Sequence, residues 1–413
     1  MDSLTSTVTA FTYPLQLCAF STVATYVASI VTGNVSQVDR VWTFLPTIYT
    51  AYFALLPLWP RGVQPFPLCP TVPKELAAVA DLDGFHPRAV LMLGIVVVWM
   101  CRLSYNTWRR GLFSLKDEDY RWAVLRTQIP PWFFQIVNLT FIAAIQNVLL
   151  MLLGVPAYYV SIQPRTPLSS SDYALAGLAL VVLSIEFTAD NQQFAYQTFK
   201  HAYLAEKKGG KKTEKYDASK QWPGARLDWT SDDAERGFLT RGLWAYSRHP
   251  NFACELSFWW IINMIPVVAD APPYVPSYSF LYFLSGSQSL AVPLIVDPVF
   301  ELVSWFRSTP VSDIFTSTTL ELLYVKALDY ILPFYPLFPV ACLNALFLSS
   351  TPYTEAISVT KYPKAYAAYK ERVAMFSPLG TLENAFWLRM LSDKEELKEI
   401  ESLVFGSGKI KAT

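Results

Sequence analysis

About 20 mostly apolar residues in a row can cross a bilayer as a helix, and seven stretches of this chain approach that pattern: 11–32, 41–59, 90–103, 132–153, 173–187, 253–269 and 328–348. The third is short and is completed by apolar residues before it. The last contains Pro333, Pro336 and Pro339, which can kink a span without breaking it. The pattern predicts an all-α fold, a polytopic bundle of about seven transmembrane helices. It further predicts one membrane-embedded domain over 1–383 and an exposed, charged C-terminal tail at 384–413.

The links between these stretches differ in kind. Residues 60–87 are proline-rich and read as an irregular loop, and 154–172 as a return loop. Residues 102–126 alternate arginines with Asp117, Glu118 and Asp119, an ion-paired segment at a membrane interface. The long hydrophilic segment 200–241 contains KKGGKKTEKYDASK, the composition of a mobile cytosolic loop. Residues 270–327 are apolar but broken by prolines, serines and a glycine, so a span, a re-entrant segment and a lumenal subdomain all fit. Counting 278–296 as an eighth span would move the C-terminal block to the side opposite 242–255, and seven is preferred.

Composition agrees with a membrane protein. Hydrophobic residues make up 53% and charged residues 16%, where a soluble chain carries about 25% charged residues; mean hydropathy is +0.27. The net charge of zero leaves no basic footprint for nucleic acid. With seven spans, one side collects all of the 33 lysines and arginines except Arg61, Lys74, Arg88, Arg165, Arg307 and Lys326. The positive-inside rule puts that richer side in the cytosol. The five cysteines lack a C-x-x-C and the three histidines lack ligand spacing, so reduced thiols and no metal are expected. The first ten residues carry Asp2 and no base, which predicts that the first apolar run is retained as a helix.

Candidate chemistry gathers where polar blocks meet the cytosolic face. Residues 242–255 read GLWAYSRHPNFACE and put Trp244, Tyr246, Arg248, His249, Asn251 and Glu255 directly before an apolar run. Ionisable groups at that depth need partners or a ligand. Glu186, Asp190, Gln193 and Gln197 recur at helical steps, so one helix face carries all four; a solvated face emerging from the membrane is the plainer account. A third block, 355–372, holds Glu355, Lys364, Lys370, Arg372 and tyrosines 362, 366 and 369, where an aromatic belt is the plainer account. Arg248, His249, Lys200, Lys364, Lys370 and Arg372 supply cations for phosphate. Asp190, Asn251 and Glu255 supply ribose and amide partners, and Tyr246, Tyr366 and Tyr369 can flank a ring. The assortment suits an anionic dinucleotide such as NADPH. No G-x-G-x-x-G follows a strand, so the carrier is a helical bundle rather than a Rossmann domain.

The run GLW-Y-SRHPNF---E resembles the signature of the DUF1295 family, within the steroid 5-alpha-reductase superfamily of membrane reductases. NVSQVDRVW at 34–42, RLSYNTWRRG at 102–111, EDYRW at 118–122, EFTADNQQF at 186–194 and YPKAYAAYKERVAMFSPL at 362–379 resemble further family blocks in the same order. The resemblance implies transfer of a hydride from NADPH to the carbon–carbon double bond of a lipophilic enone: a steroid, sterol, isoprenoid or fatty acyl compound. It implies that the E--AD--Q block, with Asp190 and Gln193, touches the cofactor and that the tyrosine block covers it. It also points to Tyr105 as the acid that polarises the carbonyl, with Asp39 or Glu186 as partner; for Asp39, a helix cap or a partner for Arg40 is equally open. Gln197 stands where the steroid reductases carry arginine, and Cys254 where the family commonly has glycine.

Two other functions remain open. Membrane methyltransferases acting on isoprenylated cysteine share an R-H-P-x-[YF] motif and a later tyrosine block, and bind S-adenosylmethionine. A lipid-binding protein that kept the fold without the chemistry is the third. Membrane lipids and a lipophilic small molecule are the expected partners. The expected location is the endoplasmic reticulum, with the cofactor site facing the cytosol.

Overall fold

The computed structural model describes residues 9–209, 216–269 and 336–406. Every regular element among them is helical, apart from one isolated bridge between Arg61 and Val72. Among the described residues, five helices are long and apolar enough to cross a membrane, and the chain is an integral membrane protein with an all-α polytopic fold. They are α1 (Thr12–Thr32), α4 (Pro87–Arg109), α5 (Pro131–Ser161), α6 (Ser170–Lys207) and α7 (Pro250–Val268). Three of them start on proline, which has no N–H to leave unsatisfied at a first helical position.

The expected span at 41–59 is not one helix. The chain forms α2 (Gln37–Trp42), α3 (Leu45–Ala54) and a 3-10 turn at Leu56–Leu58. Pro46 and Pro57 punctuate it, and Tyr49, Tyr52, Phe53 and Ala54 are all buried. Its apolarity therefore reflects burial inside protein, the case in which a helix is hydrophobic all round. The expected span at 328–348 lies partly outside the described residues, and 270–327 lies wholly outside them; helix α8 is described from Phe338 to Lys361.

The chain groups into two compact units, 1–179 with 259–342 and 180–258 with 343–413, where the sequence suggests one domain. In the first, Gly154 lies so close to α3 that a Cβ there would overlap the Tyr49 side chain. Trp99 meets Trp259 edge to face at 5.0 Å. Asn138 and Asn147 of α5 donate to Ser29 and Thr25 of α1 at 2.8 and 3.2 Å, side-chain bonds of the kind that join helices in lipid. Asp39 does not pair with Arg40. The Arg40 guanidinium donates to the carbonyls of Ser36, Ser114 and Asp117, while Asp39 accepts from Trp122 at 3.4 Å. Burial, then the charge of Asp119, raises the Asp39 pKa.

In the second unit, α9 (Pro363–Arg372), α10 (Pro378–Leu391) and α11 (Lys394–Phe405) follow α8. Tyr366, Tyr369, Val373, Ile400 and Val404 are buried in one cluster with Phe238 beside it. Arg372 Nε is 2.7 Å from Glu401. The tail expected to be exposed from 384 thus contributes core through Ile400 and Val404, because α11 lays its apolar face on α9. The hydrophilic segment also departs from a loose loop: Asp233 is 1% exposed, pairs with Arg236 and Arg241, and closes a capping box with Thr230.

Candidate functional site

Residues 242–244 lie on α6. Gly242 has φ of +63°, a left-handed conformation that glycine alone adopts without strain. That turn lets Leu243 N–H donate to Gln192 Oε1 at 2.9 Å. Gln192 Nε2 reaches the Gly224 carbonyl at 2.9 Å, and Trp244 Nε1 the Ala189 carbonyl at 3.3 Å. The turn is therefore seated on the α6 face adjoining the stripe of Glu186, Asp190, Gln193 and Gln197. A Cβ on Gly242 would sit 2.6 Å from Gln192 Oε1. Gly242→Ala is expected to destabilise the second unit by about 1–3 kcal/mol, from backbone strain and loss of this bond. Faster amide exchange over 239–249 in the variant checks it.

The motif is then tied to the C-terminal helices. Arg248 Nε and Nη2 hold Glu355 Oε1 and Oε2 at 2.6 and 3.1 Å. Its Nη1 donates to the carbonyls of Lys370 and Val373. His249 Nε2 is 3.0 Å from Glu355 Oε1, and Lys370 Nζ is 3.4 Å from Oε2. The backbone N–H groups of Arg248 and His249 donate to Ala374 and Met375. The Tyr369 hydroxyl, buried, donates to Trp244 O at 2.5 Å. Thr381 Oγ1 bridges Tyr246 O and Ala374 N–H. Glu355 is fully buried beyond the expected span. Burial alone would raise its pKa, but hydrogen bonds from His249 and Arg248 and the Arg248 charge outweigh that and hold it at about 2.

Arg248, His249 and Lys370, expected to meet phosphate, converge on a carboxylate of the same chain. Tyr366 and Tyr369, expected to cover the cofactor, are core residues against Phe238. Lys200 Nζ is held by the Gly237 carbonyl at 3.1 Å. A buried guanidinium needs a counterion and carbonyl acceptors, and Glu355 with the Lys370–Val373 turn supplies both.

Glu186, Asp190 and Glu255 are buried. Among the described residues, Gln193 Oε1 and Asn251 Oδ1 are buried and accept no hydrogen bond. Tyr246 is 55% exposed. Tyr105 and Asp39 belong to the first unit, Glu186 to the second. Tyr105 is 45% exposed, with the Arg109 guanidinium 5.1 Å over its ring and Trp108 beside it. An apolar groove of about 410 Å³ is lined by Leu180, Val181, Ser184, Ile185, Thr188 and Leu243; these α6 positions face away from the polar stripe, so the groove is separate from it. The sequence reading missed Gln192, Thr381 and Asp233. Gln192 sits beside Gln193 but off the stripe, and only the turn at Gly242 gives it a task.

The chain shares 24% identity over 372 residues with an uncharacterized protein of Schizosaccharomyces pombe, covering 90% of this chain and 79% of that relative. No solved structure matches it. The model of the family described as "Protein of unknown function (DUF1295)" matches residues 25–289, and the chain belongs to that family.

Proposed function

We propose that the protein is a membrane-bound reductase of the steroid 5-alpha-reductase kind, using NADPH to reduce the conjugated double bond of a lipophilic enone. The observation that carries the reading is the pair of buried, unfilled acceptors, Gln193 Oε1 and Asn251 Oδ1. An unpaired buried polar atom carries a penalty of about 1–3 kcal/mol that a bound donor removes. Each lies beside a buried carboxylate of its own helix, Asp190 and Glu255. A nicotinamide amide and ribose hydroxyls are donors of that kind, and in this reading the four residues would meet one end of the cofactor.

When bound, NADPH would supply the hydride. The chain's part is orientation. Asp190, Gln193, Asn251 and Glu255 would accept hydrogen bonds from the cofactor. The Arg248–Glu355–His249 knot would fix the first turn of α7, and with it Asn251, without touching the ligand. Glu186, buried at 2% exposure and expected as a partner of the acid Tyr105, would help to hold the proton that polarises a carbonyl. The charge asymmetry supports a cytosolic site; the endoplasmic reticulum rests on the resemblance and the lipophilic substrate.

One observation favours a second reading. Because three expected phosphate cations converge on Glu355, a cofactor without phosphate, S-adenosylmethionine, places less demand on them. Titrating both cofactors into detergent-purified protein separates the two. NADPH binding weakened about tenfold or more by Asn251→Ala and by Gln193→Ala, the loss of one buried hydrogen bond each, is the expected result. Binding of S-adenosylmethionine alone would make the protein a methyltransferase, and binding of neither would leave a lipid-binding role.

A further inference from the structure

Helix α10 has the sequence PLGTLENAFWLRML. Leu379, Leu382, Phe386 and Met390 recur at helical steps on one side, with Trp387 and Leu391 flanking them. All six are exposed, from 50% for Trp387 to 79% for Leu391. Thr381 and Leu388, on the opposite side, are buried. Glu383 interrupts the apolar side near the N-terminal end, and Arg389 edges it. Six large apolar side chains in one open face exceed what a water-facing surface ordinarily shows. At 14 residues the helix is too short to span a bilayer.

We propose that α10 lies in the plane of the membrane as an interfacial anchor, with this face set among lipid at the headgroup boundary. Its place in the fold selects that occupant. Thr381 Oγ1 donates to Tyr246 O at 2.6 Å and His249 N–H to Met375 O at 3.1 Å, while α7, one of the helices able to cross the membrane, begins at Pro250. Tyr246 lies four positions before that start, at most about 14 Å of chain. The start of α10 is therefore held at the level where α7 enters the bilayer. The next helix gives the contrast: Lys394, Glu395, Glu396, Lys398 and Glu399 make the outer face of α11 exposed and charged. The change from apolar to charged outer face falls at Asp393, which caps α11. Trp, Phe and Leu on the apolar side of a short helix match the composition of helices that lie in an interface.

The test uses the full chain reconstituted in phosphatidylcholine bilayers. A nitroxide is attached through an encoded azido-phenylalanine at position 382, 386 or 390, leaving the five native cysteines alone, and at positions 395 and 399 for comparison. Collision with oxygen should exceed collision with a water-soluble nickel chelate severalfold at 382, 386 and 390, and the order should reverse at 395 and 399. Nickel accessibility at 382, 386 and 390 equal to that at 395 would overturn the proposal. So would spin–spin broadening at these sites that dilution with unlabelled protein removes, since a second copy would then cover the face. Three independent positions, each checked for a monodisperse elution profile, keep the result readable if one variant fails to fold.

Discussion

Glu355→Ala is expected to destabilise the second unit by about 3–5 kcal/mol, because it leaves the Arg248 guanidinium buried without its counterion. The Arg248 side chain is 6% exposed and that of Glu355 0%, so bulk water compensates little for the lost partner. His249 and Lys370 lose the same acceptor. Glu355→Gln keeps the shape and one acceptor oxygen, and should lose less. Amide exchange across 343–406 under denaturant reads both. The double change Arg248→Met with Glu355→Leu should recover part of the loss, since a well-packed apolar pair replaces a broken ionic one. The pH dependence has a definite sign. A carboxylate held at about 2 when folded, against an ordinary 4.5, contributes its full stabilisation above 4.5 and loses it as the pH falls through that window towards 2. The shift corresponds to about 3 kcal/mol, so acid should open the motif and α9 together. Retained protection of 244–249 at pH 3 in the Glu355→Ala protein would contradict this account.

Asp172→Ala should have a comparable effect in the first unit. Arg88 Nε and Asp172 Oδ1 are 2.7 Å apart with both side chains fully buried. Asp172 Oδ2 also accepts from the Ser169 N–H and hydroxyl, so one carboxylate serves Arg88 and the loop before α6. Its removal is expected to lower stability by about 3–5 kcal/mol. Arg88→Met with Asp172→Leu should lose much less than either single change. If the single variants unfold in the same denaturant concentration as the parent protein, water reaches this pair and the burial argument fails. Arg88 Nη1 is buried without an acceptor among the described residues, which lowers the pair's own contribution and should make the apolar replacement more nearly neutral.

Two facts limited what sequence reasoning could reach. Hydrophobicity records removal from water and does not distinguish lipid from protein as the apolar surroundings, so 41–59 reads like 11–32 although Tyr49, Tyr52 and Phe53 are packed inside protein. A residue's chemical type fixes what it can bind but not which partner is nearest. Arg248 and His249 suit a phosphate equally well until Glu355, more than a hundred residues later, is found at 2.6 and 3.0 Å.

The apolar periods of the sequence by themselves determined the helical class, the membrane location and five of the spans, since those properties follow from composition within a window of about 20 residues. The order of the motif blocks along the chain determined the family. Only the tertiary structure decided that Tyr366 and Tyr369 are core, that α11 is packed on one face rather than wholly exposed, that Gln192 holds the Gly242 turn, and that Gln193 and Asn251 keep open acceptors among the described residues. Each of these depends on contacts between residues distant in the chain, where the geometry of a single buried partner outweighs any local preference.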